Sequence, residues 1–249
     1  MGPFARDYTG GRFVTFSASH WAALAVLALC IAALVTVGRR LGESGRRRVL
    51  VGIVVVLWGT ELSYHAWRAL SGTWTPKEML PLHLCSVLVW ASGFLLLTGN
   101  RRLYELSYFW GLAGATQALL TPDIGVYGFP HYRFFQFFVT HGLIVATAVW
   151  FTAVEAYRPT WASWRRALVT LVCYGVVVFG VNTVVGSNYL FLNRKPSSRS
   201  VLDLLPAWPG YLPYLVGMVV IAFTLFYLPW AIADARATRA ARALDVPVR

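Results

Sequence analysis

Charged side chains are scarce in this chain: Asp, Glu, Lys and Arg make up only 13% of its 249 residues. A soluble globular domain uses roughly a quarter of its residues as charged groups, largely to cover its surface. Hydrophobic residues reach 57%, which also excludes an intrinsically disordered chain. The low charge and the high hydrophobicity together favour a protein embedded in a membrane.

Short motifs of cofactor binding and hydrolysis are also missing. The sequence has no phosphate-binding loop, no dinucleotide fingerprint, no GxSxG and no HExxH. Its three cysteines, Cys30, Cys85 and Cys173, all fall inside apolar runs, where a free thiol usually packs as a small hydrophobe. We therefore predict no disulfide framework and no cofactor, and no tight ligand spacing supports a metal site.

Long apolar runs indicate helices that cross a bilayer. Runs approaching ~20 residues match a hydrocarbon layer of ~30 Å at a rise of ~1.5 Å per residue. No internal repeat divides the chain, so we predict one all-α domain over residues 1–249, a polytopic membrane helix bundle of about seven transmembrane helices. The predicted spans lie at about 18–38, 49–70, 80–98, 103–121, 132–154, 167–188 and 211–233.

Basic residues exceed acidic ones by 22 to 10, which gives a formal charge of +12. Because they lie in short loops between the spans, they indicate topology rather than a nucleic-acid partner. Counted by loop, 14 fall on one side and 8 on the other, with the densest cluster at Arg39–Arg48. The positive-inside rule then places the N-terminus outside and the C-terminus in the cytoplasm. The abundance of Arg, Ala, Val, Leu and Gly is typical of a GC-rich bacterium, so we expect the bacterial inner membrane.

Polar residues within the spans gather toward the predicted outer face. All five histidines lie there, as does Glu61, the only carboxylate well inside a span. Intramembrane ionisable groups are costly and normally face a bundle interior or a wet cavity. We therefore predict an outer cavity, although helix ends that merely touch interfacial water would give a similar pattern. The residues expected to converge on it are Glu61, His65, Cys85, Gln117, His141 and Asn182.

Glu61 and His65 are four residues apart and therefore share one helix face. Such a carboxylate can orient an imidazole, coordinate a metal or hold a proton. The alternative is a structural Glu–His pair whose members satisfy each other inside the bundle.

Cys85 opens the third predicted span in the segment Pro81-Leu82-His83-Leu84-Cys85. His83 is only two residues away and projects in a different direction, so the two are not expected to pair. A cysteine nucleophile needs a neighbouring base to form thiolate, and His141 lies at a similar depth on another span. The alternative is that Cys85 only packs.

At these residues the sequence resembles the YwaF-type family of bacterial integral membrane proteins over nearly its whole length. That family is similar to an animal transmembrane phospholipid acyltransferase, and more distantly to androgen-induced membrane hydrolases of branched fatty-acid esters. The resemblance implies that Cys85 and His141 act together on acyl groups. It rests on His20, Glu61, Pro81–Cys85, Gly111–Gly114, Thr121–Asp123, Phe129–His131, His141, Gly186–Tyr189 and Lys195-Pro196.

Three hypotheses follow for the function. The first is an intramembrane acyl-transfer enzyme that moves an acyl group from a membrane lipid to a lysolipid or to water, with Cys85 as nucleophile and His141 as base and then acid. The second is a non-enzymatic transporter or binder that handles protons or a small ligand, and the third is a metal-dependent lipid hydrolase with histidine ligands. In the first hypothesis Asn182 or Asn188 donates to the oxyanion. The residues predicted to support the pair are Glu61, His65, His83, Gln117, Asn182 and Asn188.

Overall fold

The computed structural model describes residues 2–196 and 201–244, and every long element within these ranges is a helix. This confirms the predicted all-α class. The helices are α1 (Ala18–Arg40), α2 (Glu43–Leu70), α3 (Pro76–Met79), α4 (Leu84–Thr98), α5 (Arg101–Leu106), α6 (Leu112–Leu120), α7 (Tyr132–Ala153), α8 (Trp161–Val185) and α9 (Leu212–Leu244). A π turn over Ser107–Gly111 joins α5 to α6.

Five helices, α1, α2, α7, α8 and α9, are long and apolar enough to cross a membrane. The helix α4 is apolar but has only 15 residues, and the path through α5 and α6 contains the π turn. The described chain is therefore a polytopic helical bundle, while crossings at all seven predicted spans stay a prediction. Arg199 and Arg249, which entered the count of loop charges, lie outside the described residues.

Several helices begin at residues that local chemistry selects. The start of α8 at Trp161 follows from a capping box, in which the Thr160 hydroxyl accepts from the Ser163 amide at 3.1 Å and the Ser163 hydroxyl accepts from the Thr160 amide at 3.1 Å. The start of α4 at Leu84 lies later than predicted, because Pro81 keeps the preceding Leu80 extended and His83, directly before Leu84, is extended as well.

The outer surface of the bundle is apolar. Large side chains such as Leu29 on α1, Val176 on α8 and Leu225 on α9 are 70%, 68% and 62% exposed. A soluble monomer rarely exposes apolar surface this widely, whereas a lipid-facing surface requires it. These helices therefore form the periphery of the bundle.

The helix α7 lies at the centre of the bundle, where it packs against α1, α2, α4 and α6. Its residues Ile144 and Trp150 belong to a core that also contains Leu57 of α2, Leu88 of α4 and Phe109 of the π turn. Gly142 faces α1 so closely that a Cβ there would overlap the side chain of Leu27. This close approach fixes the rotation of α7 and hence the direction in which its polar residues point.

One buried carboxylate lies at the opposite end from the predicted cavity. Glu105 of α5 accepts two hydrogen bonds from Arg166 of α8, at 2.8 and 2.5 Å, and a third from the Ser163 hydroxyl at 3.2 Å. Charge-assisted, bidentate pairs of this kind are the stronger class of hydrogen bond. They join α5 to α8, which are distant in sequence.

Candidate functional site

Glu61 and His65 lie side by side on α2, at the end of the bundle where α1 and α7 begin, called here the N-terminal end. Glu61 is only 6% exposed, and its Oε1 lies 3.6 Å from Nε2 of His65. The Trp74 indole donates its N–H to Nδ1 of His65 at 3.0 Å. Since Nδ1 accepts, the proton of a neutral His65 is on Nε2 and is directed at the carboxylate.

His141 of α7 has a defined tautomer. Its Nδ1 lies 2.8 Å from the carbonyl oxygen of Phe137, and because a carbonyl can only accept, Nδ1 carries the proton. The Phe137 ring stacks on the imidazole with the centroids 4.1 Å apart, which holds its plane. The other nitrogen, Nε2, makes no hydrogen bond to any residue within 2–196 and 201–244. His141 therefore presents an unengaged basic lone pair.

Cys85 lies half-buried in the first turn of α4. Gly114 of α6 faces it, so a Cβ at that glycine would lie 3.9 Å from the Cys85 sulfur. The carboxylate of Glu61 is also close enough to act on the thiol electrostatically. No hydrogen bond joins Cys85 to His141, although α4 and α7 pack against each other.

Arg133, in the first turn of α7, completes this group, although the sequence pattern indicates only a loop charge at this position. Its guanidinium carbon lies 4.1 Å from the centre of the Tyr64 ring, and the guanidinium donates to Oε1 of Gln136. It acts electrostatically on both Glu61 and His141. The available sequence signal was spacing, since Arg133 and His141 are eight residues apart and share a helix face.

Two other predicted residues do not join this group. The side chain of Gln117 is exposed and donates to the Thr121 hydroxyl at 3.3 Å, at the end of its own helix. Asn182 uses both amide hydrogens within the segment after α8, donating to the Tyr189 carbonyl at 2.9 Å and to Oδ1 of Asn193 at 3.2 Å. Asn182 therefore has no N–H left for an oxyanion, because it organises the turn after α8.

Asn188 and His83 also have local partners. Oδ1 of Asn188 accepts from the amides of Asn193 at 3.1 Å and Arg194 at 3.0 Å. The His83 ring contacts the rings of Tyr189 and Phe191, with centroids 5.1 and 5.6 Å apart. His83 thus connects the start of α4 to the segment that follows α8, and Asn188 links two parts of that segment.

His20 and His131 are fully engaged by the backbone. Nδ1 of His20 accepts from the Phe16 amide at 2.8 Å, and its Nε2 lies 2.8 Å from the Leu119 carbonyl, to which it donates. Nδ1 of His131 accepts from the Arg133 amide at 3.0 Å, and its Nε2–H donates to the Ala5 carbonyl at 3.1 Å. Burial lowers the pKa of His131 below its ordinary value. Both histidines therefore have structural roles, since each of their ring nitrogens is engaged by the backbone.

Within the part of the chain that the structure describes, no three side chains of His, Cys, Asp or Glu come together in a way that could hold a metal ion. The site consists of buried Glu61 beside half-buried His65, a half-buried thiol, an imidazole with a free nitrogen and one arginine, carried by α2, α4 and α7.

The sequence profile of the TMEM164 family matches residues 15–227, which include all of these site residues. The chain belongs to the TMEM164 family. It is also similar to an uncharacterized protein of Treponema pallidum (strain Nichols), at 24% identity over 229 residues that cover 88% of this chain and 91% of that protein. No solved structure matches it. The family match fits the predicted relation to an animal transmembrane protein, and the YwaF-type resemblance stays a prediction.

Proposed function

We propose that this member of the TMEM164 family is an intramembrane acyl-transfer enzyme in which Cys85 is the nucleophile and His141 the general base. The observation that carries the proposal is the tautomer of His141, which donates Nδ1–H to a carbonyl and leaves Nε2 as a free base. A second support is placement, because the only half-buried cysteine lies on α4, which packs against the helix of that histidine. The sequence resemblance described above assigns the same two residues to acyl chemistry.

The reaction proceeds in two balanced halves. First, Nε2 of His141 takes the thiol proton, the Cys85 sulfur bonds to the acyl carbon of a lipid ester, and the ester C–O bond breaks as His141 returns the proton to the leaving oxygen. Second, His141 takes a proton from the hydroxyl of a lysolipid or from water. The acceptor oxygen bonds to the acyl carbon, the C–S bond breaks, and the proton returns to sulfur. The steps involve no change of oxidation state.

Glu61 and His65 act as positioning and proton-handling residues in this proposal. The carboxylate of Glu61 lies 3.6 Å from Nε2 of His65, so the two can exchange a proton. The positive charge of Arg133, in the first turn of α7, acts electrostatically on that carboxylate. Such compensation is needed because an unpaired charge inside a bundle is costly.

The predicted topology specifies the donor. With the N-terminus outside the inner membrane, Cys85 and His141 lie in the outer half of the bilayer, away from acyl carriers in the cytosol. The acyl donor is then a membrane lipid, and the acceptor is a lysolipid or water.

A second candidate function is proton-coupled binding or transport. It is favoured by one observation, the group of Glu61, His65 and Arg133 inside the bundle, since intramembrane carboxylates and histidines also form proton relays. A metal-dependent hydrolase has less support, because the described residues offer no ligand set.

The deciding experiment is to trap the acyl-enzyme. Purified protein in lipid discs is incubated with a phospholipid that carries a labelled acyl chain, quenched in acid and analysed by peptide mass spectrometry. A thioester on Cys85, absent from Cys85→Ala and cleaved by hydroxylamine, is the expected result. Acyl transfer without any adduct, undiminished in Cys85→Ala, would overturn the nucleophile assignment, and absence of transfer by the wild-type protein would favour the transport alternative.

A further inference from the structure

A cleft of about 630 Å³ opens at the N-terminal end of the bundle, between the segment before α1, the end of α2 and the start of α7. This volume lies within the range of about 300–1,000 Å³ that is usual for small-molecule sites. The residues that line it are Phe4, Arg6, Ser63, Ala66, Trp67, Leu70, Ser71 and Tyr132.

The N-terminal wall of the cleft is held by hydrogen bonds to four successive carbonyls. The Pro3 carbonyl accepts from the Tyr132 amide at 2.8 Å, and the Phe4 carbonyl accepts from the Trp67 indole at 2.9 Å. The next two carbonyls, of Ala5 and Arg6, accept from the His131 imidazole at 3.1 Å and from the Tyr127 hydroxyl at 3.2 Å. A segment fixed at every carbonyl is pre-organised, so the side chains of Phe4 and Arg6 are presented to the cleft at little further entropic cost.

The charge of Arg6 is not used by the fold. The ion pairs formed among residues 2–196 and 201–244 do not include it. The hydroxyls of Ser63 and Tyr132, which also line the cleft, lie 2.6 Å apart and bond to each other, and the Ser63 hydroxyl donates its proton to the Thr60 carbonyl at 2.7 Å. The donor left for a ligand is therefore the Arg6 guanidinium, a group that forms charge-assisted hydrogen bonds with phosphate oxygens.

Most of the other residues that line the cleft are apolar or aromatic. Phe4 is 64% exposed and Leu70 is 90% exposed, and both lie at the level where α2 ends and α7 begins. This level is the membrane interface for two helices of spanning length, with Trp67 and Tyr132 as interfacial aromatic residues. A cation at the interface beside an apolar wall complements a lipid headgroup with an attached chain.

This cleft is distinct from the proposed acyl-transfer site. Ser63, Ala66 and Leu70 follow a spacing of three and four residues and form one face of α2. Glu61 and His65 form another face, displaced by more than a third of a turn at ~100° per residue. These residues of α2 therefore face different sides of the helix.

We infer that this cleft binds a membrane phospholipid, with its phosphate on Arg6 and an acyl chain along Phe4 and Leu70. The inference does not depend on the acyl-transfer proposal, because it concerns other side chains and is tested by binding alone.

The test is native mass spectrometry of the full chain released from detergent, with three added probes. Phosphatidylglycerol carries phosphate and chains, diacylglycerol carries chains only, and inorganic phosphate carries no chain. We expect retention of phosphatidylglycerol alone, and about a tenfold weaker retention in Arg6→Gln, as one charge-assisted contact is lost. Arg12→Gln, on the same segment but outside the cleft, is the matched control and should bind normally.

A second pair of variants tests the space itself. Ala66→Trp fills the cleft and should abolish retention, whereas Ala69→Trp places the same side chain on an exposed part of α2 outside it and should not. A melting temperature for each variant confirms that it is folded. Equal retention of diacylglycerol, binding of inorganic phosphate alone, or undiminished retention by Arg6→Gln and Ala66→Trp would overturn the inference.

Discussion

Removal of Cys85 and His141, singly and together, tests whether the two side chains act as one unit. His141→Ala removes Nε2, the nitrogen of the His141 ring that is not engaged by the backbone, together with its lone pair. Cys85→Ala removes the sulfur that would carry the acyl group. Because the proposed mechanism passes one proton between these two groups, either change should stop the same step.

The size of the effect follows from that shared step. A positioned base contributes about 10²–10⁴-fold to a rate, and a loss of ~10³-fold corresponds to ~4 kcal/mol of transition-state stabilisation. Two independent contributions of this size would add to ~8 kcal/mol, or ~10⁶-fold. When two residues act as a unit, removal of either one already removes their joint contribution to the rate. The acyl-transfer rate of the double variant should therefore be at most about tenfold lower than that of either single variant.

The assay follows a labelled acyl chain from a phospholipid to a lysolipid in discs that contain purified protein. Cys30→Ala and Cys173→Ala are matched controls, because both thiols are exposed on peripheral helices, and they should keep full activity. Cys85→Ser should be nearly inactive, since a hydroxyl is much the weaker nucleophile without a fully activated base. Activity in Cys85→Ala at the wild-type level, or a double variant ~10³-fold less active than each single variant, would refute the conclusion that Cys85 and His141 act as one unit.

Three further outcomes are expected. A C-terminal reporter should be active in the cytoplasm, as the 14-to-8 partition of basic residues requires, and activity outside the cell membrane would reverse the topology. Glu105→Gln should lower the free energy of unfolding by about 2 kcal/mol, because it weakens charge-assisted bonds to Arg166, whereas Glu43→Gln, on an exposed carboxylate, should not. Burial lowers the pKa of His131, so the stability that neutral His131 provides is complete above its unfolded pKa of about 6.5 and is lost as pH falls through the lower folded value. The wild type should therefore melt at a higher temperature than His131→Asn at pH 7.5, and this difference should be smaller at pH 5. A difference that is the same at both pH values would contradict the assignment of His131 as a neutral buried histidine.

The sequence allowed the depth of each polar residue to be predicted, because helical rise converts position along a run directly into distance. The relation between Glu61 and His65 was also accessible, since a spacing of four places both on one face wherever the helix lies. The starts of α4 and α8 were less accessible. The start of α4 depends on the extended backbone around Pro81, and the start of α8 depends on the reciprocal hydrogen bonds between Thr160 and Ser163. A hydropathy pattern does not reveal either feature.

The direction in which each side chain points could not be predicted in the same way. The π turn before α6 inserts about one extra residue and rotates the helix that follows by ~100° relative to a regular helix. After it, Gly114 faces Cys85 and Gln117 is exposed. Asn182 lies in the last turn of α8, but α8 ends before Gly186, which is in the left-handed region at φ 71°, and the returning chain captures the Asn182 amide.

Both proposed sites depend on the first two residues of α7, and helical geometry explains why. Successive residues diverge by ~100°, so Tyr132 and Arg133 point to different sides of the same turn. Tyr132 lines the cleft and bonds to Ser63, whereas Arg133 packs on Tyr64 and acts on Glu61. Ser63 and Tyr64 are themselves neighbours on α2 and diverge in the same way. The contact between α2 and α7 therefore lies between the cleft and Glu61, because successive residues of each helix face its two sides.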